Sequence, residues 1–372
     1  MNASIVGIGT WLPETVRTND AWPRSFVERN HARGARCAAG SPPMVGDRTF
    51  NDIPPSKDPV AAALVERHLA AEAGDPFLGS VRRHVADPSM SAAEAEARAA
   101  LAALEDANIE PRDVDLVLSY STVPDRVMAA APAVAHRIGA YRTRAFGIDA
   151  ACASALPQLE MAHAYVESGL AKVVLLVQSH LVLRLMPLEH PATPGLGDAA
   201  TAMVISCGTG LTVRGHFARS MGEFTNAVSW VRGTSEEEDL PWWKAGGDFR
   251  MGSRAPAQAK ALMRDTVTYG SETLREAASA AGVDIERIDV LASVQPRGFL
   301  PGVIAERAGM ASDRAVTTYE HIAHVGVCGP IFNLAAARAQ GRVGRNALVA
   351  LYGQGAGFTR AAAILEQTAP TP

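Results

Sequence analysis

Cysteine is scarce in this chain, with four in 372 residues, at positions 37, 152, 207 and 328. They are too few and too scattered for a disulfide framework. No Cys-x-x-Cys pair is present, which removes the usual zinc and dithiol readings, and no metal site is expected. No apolar stretch reaches the ~18 residues of a membrane span, so no membrane partner is expected. The opening Met1-Asn-Ala-Ser-Ile-Val-Gly-Ile-Gly9 lacks the basic start of a secretion signal, and its apolar run is only a strand long. A cytoplasmic location is the simplest expectation. There is no long basic run, and the net charge of −4 argues against nucleic acid as a partner. The tail after Glu366, with Pro370 and Pro372, reads as disordered.

What is abundant is apolar side chain. At 48% hydrophobic residues the chain has enough to bury a large core, in two or three structural units. Its organisation shows as an internal repeat. A helical stretch at 91–107 leads through Asn108-Ile-Glu-Pro-Arg-Asp-Val-Asp115 into the strand Leu116-Val-Leu-Ser119. A second, at 265–281, leads through Gly282-Val-Asp-Ile-Glu-Arg-Ile-Asp289 into Val290-Leu-Ala-Ser293. Further on, Glu167-Ser-Gly-Leu-Ala-Lys172 precedes Val173-Val-Leu-Leu-Val177, and Ala339-Gln-Gly-Arg-Val-Gly-Arg-Asn346 precedes Ala347-Leu-Val-Ala-Leu351. The step from Asp115 to Gly169 is 54 residues and that from Asp289 to Gly341 is 52. The segment starting at Gly197 likewise resembles that starting at Gly355. Agreement in order and spacing is stronger than any single match.

Short Val/Leu-rich strands alternating with helices predict layered α/β/α units around a shared core. The expected division is an N-terminal half, 1–213, and a C-terminal half, 214–372. The first half carries an irregular insertion at about 24–90, with one helix near 58–73. The second carries an excursion at about 230–257, holding Glu236-Glu-Glu-Asp239 and Trp242-Trp243, which reads as a lid, an interface or a solvated loop.

Cys152 is the principal candidate for chemistry. It lies in Phe146-Gly-Ile-Asp-Ala-Ala-Cys-Ala-Ser-Ala-Leu156, ahead of an apolar helix whose Pro157 fits a start at about residue 153. First-turn N–H groups stabilise a thiolate and bind an oxyanion beside it. The alternative is an inert buried thiol. A nucleophile needs a base. His31, His68 and His84 lie in the irregular insertion, His136 and His163 read as structural, and His180 stands in the weak pattern Gln178-Ser-His180. His321 and His324, in Tyr319-Glu-His-Ile-Ala-His-Val-Gly-Val-Cys-Gly-Pro330, occupy the second half's equivalent of the Cys152 loop. Pseudo-twofold packing would bring the two loops together; capping or packing roles are the alternative. Tyr352-Gly-Gln-Gly-Ala-Gly-Phe-Thr359 is a dense glycine turn after a buried strand. Such a turn lets backbone amides approach a ligand. An amide among Gly355, Ala356 and Gly357 is expected to hold a thioester oxyanion together with the amide of Cys152. The turn lacks the Lys-Ser/Thr ending of a nucleotide loop.

These elements resemble the thiolase superfamily, in its ketoacyl-acyl carrier protein synthase III-like branch. The likeness runs from Val6-Gly-Ile-Gly-Thr-Trp-Leu-Pro13 through Asp115-Leu-Val-Leu118, Asp149-Ala-Ala-Cys-Ala-Ser154 and Gly197-Asp-Ala-Ala200 to the glycine turn. It implies a five-layered α-β-α-β-α fold built from two similar halves and a homodimer. It also implies an acyl-cysteine intermediate fed by a coenzyme A or acyl carrier protein thioester, with no tightly bound cofactor. Typical members carry His-Gln-Ala-Asn after the second-half strand. Here Ser293-Val-Gln-Pro-Arg297 puts Val294 at the histidine and His324 at a later asparagine. In the family that histidine and asparagine stabilise the enolate formed when a malonyl thioester loses carbon dioxide. Valine donates no hydrogen bond, and loss of one such donor costs ~2.7–4 kcal/mol.

The expected function is therefore acyl transfer through Cys152 to a small-molecule hydroxyl or amine acceptor, in secondary metabolism. His324 is the base, His321 is nearby, and Arg297 is either a contact for substrate carboxylate or phosphate or a surface arginine. The alternatives are carbon–carbon condensation with a malonyl-type extender, in which His324 takes over enolate stabilisation, and a non-catalytic partner of an active homologue.

Overall fold

The computed structural model describes residues 3–38, 56–232 and 240–368. The first half contains strands β1 (Ala3–Trp11), β2 (Val16–Thr18), β3 (Arg82–His84), β4 (Leu116–Ser121), β5 (Arg144–Gly147), β6 (Val173–His180) and β7 (Ala199–Cys207). Its helices are α1 (Arg24–Ala38), α2 (Pro59–Glu72), α3 (Ala92–Ala107), α4 (Ala131–Ile138) and α5 (Ala155–Glu167). The second half contains β8 (Leu211–Ser220), β9 (Ser229–Arg232), β10 (Phe249–Gly252), β11 (Val290–Ser293), β12 (Ala315–Val316), β13 (Leu348–Gly355) and β14 (Thr359–Gln367). Its helices are α6 (Pro256–Ala280), α7 (Leu300–Ala308), α8 (Tyr319–Ile322) and α9 (Gly329–Ala339).

Ten strands form one sheet in the order β12-β11-β13-β14-β8-β1-β7-β6-β4-β5. Counted separately, each half repeats the same five-strand order. In each, the strands at the outer edge run parallel and the last two pairings are antiparallel. The halves join at a narrow seam, where β1 meets β8 only at Ser4↔Thr212 and Ile5↔Leu211. Helices α5 and α9 pack against strands of both halves, α3 covers the first half and α6 the second. The result is the five-layered α-β-α-β-α fold of thiolase-like proteins, built from two similar halves.

Period-two alternation explains why the strands look apolar throughout. In β6 the side chains of Val174 and Leu176 enter the central core around α5 and α9, while Val173, Leu175 and Val177 face α3. In β14, Ala361, Ala363 and Leu365 enter the same central core, while Ala362 and Ile364 face α6 and α7. Helix α3 starts at Ser91, whose side chain accepts from the Glu94 amide at 3.0 Å, and it lies close on β1. A Cβ at Gly9 would stand 2.0 Å from the Ala99 carbonyl, so only glycine permits that approach.

The insertion supplies two helices where one was expected: α2 at the anticipated place, and α1 before it. Residues 39–55 of the insertion and 233–239 of the later excursion, including Glu236 and Asp239, lie outside the described residues, as does the tail beyond Thr368. The remaining excursion forms the antiparallel ribbon β9–β10, while Trp242 and Trp243 are exposed. No described helix is long and apolar enough to cross a membrane.

Candidate active site

The strand β5 ends in a tight turn before α5, and Cys152 is its centre. Residues Ala151–Ala153 form a 3-10 turn. Asp149 Oδ1 accepts from the Ala151 amide at 2.9 Å, and the Ser154 hydroxyl bridges the turn, accepting from the Ala150 amide and donating to the Ala151 carbonyl. These bonds hold Ala151 at a φ of 49°, a strained value for a residue with a side chain. Cys152 is left half-buried at the wall of a cavity of about 790 Å³.

The glycine turn after β13 lies directly over this element. A Cβ at Gly355 would stand 2.0 Å from the Ala150 carbonyl and 3.0 Å from the Cys152 nitrogen. A Cβ at Gly353 would stand 3.1 Å from the Ala153 Cα. The bare backbone at these positions lets one half lay its turn on the nucleophile of the other. Gly355 and Ala356 line the cavity. Gly357 does not join them: it is exposed at a φ of 102°, and its carbonyl accepts from the Thr225 hydroxyl.

His324 also lines the cavity. Its main chain is clamped to the 195–197 segment: its amide donates to the Gly195 carbonyl at 2.9 Å, and its carbonyl accepts from the Gly197 amide at 3.1 Å. The side chain of Gln295 donates to the Ala323 carbonyl and accepts from Thr318, fixing the preceding residue. His324 Nδ1 is buried without a hydrogen-bond partner among the described residues. His321 corrects the expectation. In the four-residue helix α8, Tyr319 and Ile322 face inward, which turns His321 to solvent, away from the cavity. Arg297 lines the cavity and faces Glu72 at 3.7 Å, so it is not a free surface arginine. Val294 is 1% exposed, packed beneath α6 and α7, and does not reach the cavity.

The sequence reading missed His180. It ends β6, lines the cavity, and lies with its ring 5.6 Å from that of His324. Its Nδ1 is 3.2 Å from the Thr122 hydroxyl, while its buried Nε2 has no partner among the described residues. Gly326 makes the room, because a Cβ there would stand 2.2 Å from His180 Nδ1. The available signal was topological: a polar side chain at the carboxyl end of a buried strand is where α/β folds place ligands.

Burial sets the electrostatics. It pushes the Cys152 thiol up to about 11, with Asp149 adding to the rise and the residue's own amide opposing it. Burial lowers His324 to about 4, assisted by the positive charge of Arg297. It lowers His180 well below its ordinary value, with His324 contributing. Burial thus favours a neutral thiol over the expected thiolate and favours the neutral forms of the two imidazoles that share the cavity. An uncharged imidazole carries the free lone pair that a proton acceptor needs, but the raised thiol and lowered imidazoles make that transfer uphill in the resting site, and an oxyanion held by paired amides in a dry site is what would offset it. The cavity's remaining walls are mainly apolar, including Val182, Leu196, Trp230, Leu262 and Phe358.

Both turns that build this site fall inside segments shared with known proteins. Residues 146–218, with Cys152, match the family model "3-Oxoacyl-[acyl-carrier-protein (ACP)] synthase III", and residues 278–367, with His324 and Gly355, match the C-terminal model of the same family. Through these two segments the chain is similar to the ketoacyl-acyl carrier protein synthase III-like branch of the thiolase superfamily. A β-ketoacyl-[acyl-carrier-protein] synthase III of Microcystis aeruginosa is 28% identical, covering 76% of this chain and 84% of the relative. The 3-oxoacyl-(acyl carrier protein) synthase III structure from Pseudomonas aeruginosa superposes with a TM-score of 0.75 at 22% identity, over 100% of both chains. OleA from Xanthomonas campestris, solved with lauric acid and lauroyl-CoA, superposes with a TM-score of 0.72 at 18% identity, over 98% of this chain and 99% of that one. The fold and the matched segments are those of ketoacyl synthase III-like enzymes. Its insertion, with α1 and α2, lies outside both matched segments.

Proposed function

We propose that this enzyme transfers an acyl group from a coenzyme A or acyl carrier protein thioester, through acyl-Cys152, to a hydroxyl or amine of a small acceptor. The observation that carries the reading is the pairing of a cavity-lining Cys152 and His324 with a sealed Val294. A nucleophile, a carbonyl oxyanion site and one base suffice for acyl transfer. Enolate stabilisation asks for a second donor; position 294 offers none, and the group that would have to supply it in a condensing reaction is His180, the other imidazole lining the cavity.

In the first step the Cys152 sulfur attacks the thioester carbonyl as an imidazole of the His180–His324 pair takes its proton. The Cys152 and Gly355 amides hold the oxyanion. The carbon–sulfur bond to the donor breaks, and the departing thiolate receives the proton. In the second step the acceptor's oxygen or nitrogen attacks acyl-Cys152 while His324 Nδ1 takes its proton. The new ester or amide bond forms, the bond to Cys152 breaks, and the proton returns to the sulfur. His180, held by Thr122, positions His324 and shields it from water. A homodimer is the assembly expected for this branch.

The second reading, decarboxylative condensation, is favoured by the names of the relatives, which are ketoacyl synthases. The two separate on products. Incubation with an acyl thioester should give an acyl adduct on Cys152 by intact mass measurement, and an ester or amide once an acceptor is added. Carbon dioxide release from a malonyl thioester with a new β-keto product would overturn acyl transfer in favour of condensation.

A further inference from the structure

One corner of the cavity has a polar character that neither proposed step uses. Glu72, Arg297 and Tyr319 line it together. Glu72 Oε2, Arg297 Nη1 and the Tyr319 hydroxyl are all buried without a hydrogen-bond partner among the described residues. The two charged groups stand 3.7 Å apart, in register for attraction but beyond hydrogen-bond distance. Tyr319 is 2% exposed and rigidly seated: a Cβ at Gly195 would stand 2.9 Å from its hydroxyl, and one at Gly298 3.1 Å from its ring. Glu72 is the last residue of α2, so its carboxylate comes from the insertion outside both family-matched segments, while Arg297 and Tyr319 lie within 278–367.

Buried polar atoms left open cost about 1–3 kcal/mol each, so three in one corner of a cavity point to a ligand that completes them. The three offer a cationic donor, an anionic acceptor and a phenol that does either. A lone carboxylate would meet Glu72, and a lone ammonium would meet Arg297. A zwitterion would match both charges but would have to shed two ionic hydration shells in a mainly apolar cavity. A hydroxyl both donates and accepts, and two adjacent hydroxyls can bridge the open pair at little desolvation cost. Leu78, Pro296 and Leu300 nearby provide apolar surface for the carbon skeleton of such a molecule. Arg297 and His324 line the same cavity, so a group bound here shares that space with the base.

We infer that the Glu72–Arg297–Tyr319 corner is the acceptor subsite, built for a neutral polyhydroxylated compound that presents adjacent hydroxyls. Its role as acceptor site rests on the acyl-transfer reading; its ligand chemistry does not.

The test is binding of methyl α-D-glucopyranoside to the full-length resting enzyme, followed by saturation-transfer NMR titration, with glycine and cyclohexylmethanol as competing chemistries. The glycoside should bind, and Glu72→Gln, Arg297→Met and Tyr319→Phe should each weaken it by about tenfold or more. The same changes should leave cyclohexylmethanol unaffected. Melting curves identify any variant that fails to fold, and the remaining two then decide. Absence of glycoside binding to the unaltered enzyme, equal binding to the folded variants, or tighter binding of glycine would overturn the inference. Intact mass measurement of Cys152 with an acyl thioester runs separately: glycoside binding without acylation would keep the polyol site and sink the acyl-transfer reading.

Discussion

The two halves contain the same turn with a cysteine in each, and the two thiols have opposite fates. In the first half the 3-10 turn Ala151–Ala153 precedes α5; in the second, Gly326–Cys328 precedes α9. Both open on a left-handed residue, Ala151 at φ 49° and Gly326 at φ 52°. Cys152 is the second residue of its turn and borders the cavity. Cys328 is the third, 0% exposed, with its sulfur 3.7 Å from the carbonyls of Gln178 and Ala199. A single step along a 3-10 turn rotates a side chain by about 120°. That step separates a thiol facing the cavity from one facing the core. A helix start is thus insufficient to make a reactive cysteine. Access, a proton acceptor and a neighbouring amide decide it, and all three converge on one side of the pseudo-twofold.

The sharpest way to break this contrast is to exchange the losses. Cys152→Ala should remove the acyl adduct entirely, while Cys328→Ala should keep it and cost about 1 kcal/mol of stability. Intact mass measurement and urea unfolding read the two effects. An adduct surviving in Cys152→Ala would place the chemistry elsewhere. Next in size, Gly355→Ala should slow acylation by about 10²–10³-fold, because its methyl group collides with the Ala150 carbonyl and displaces an oxyanion amide. The single-turnover rate of adduct formation measures it, and an unchanged rate would remove Gly355 from the oxyanion site.

A third effect is that of His324→Ala, which should slow transfer from pre-formed acyl-Cys152 by about 10²–10⁴-fold. Adding Val294→His should not restore it, since position 294 is sealed from the cavity. Decay of the mass-tagged adduct with acceptor present tells the outcomes apart. The smallest effect is on acid stability. His324 is held at about 4 against an ordinary 6.5, so the folded state resists a proton that the unfolded chain accepts. Its contribution is full above about pH 6.5 and falls away between there and about pH 4. His324→Gln should therefore lose roughly 3 kcal/mol less than the parent between pH 7 and pH 4, as urea unfolding at each pH would reveal.

Much of this architecture was legible from the sequence because it rests on local repetition. Matched helix–loop–strand units and the 54- and 52-residue steps marked the two halves, and buried strands such as Val173–His180 fell where the apolar runs were. The meeting of Cys152, Gly355 and His324 at one cavity was readable because each sits in a turn with its own pattern. His180 was not, since its partners Thr122 and His324 are 58 and 144 residues away in sequence and only the folded sheet joins them. Glu72 was equally hidden, a glutamate at the end of a helix whose neighbour is Arg297. His321 misled for the converse reason: three residues from His324, it lies on the outer side of a single helical turn.

The two rungs between β1 and β8 carry a further consequence. A chain cut at Gly208–Gly210 would give two pieces, each with a full set of five strands, yet each would bare a raw strand edge and an oily helix. Neither piece would own both the sulfur and the amide of Gly355. Co-expressed, they should re-pair and regain acyl-enzyme formation; alone, each should aggregate. The molecule is in this sense an obligate pair of covalently tethered twins.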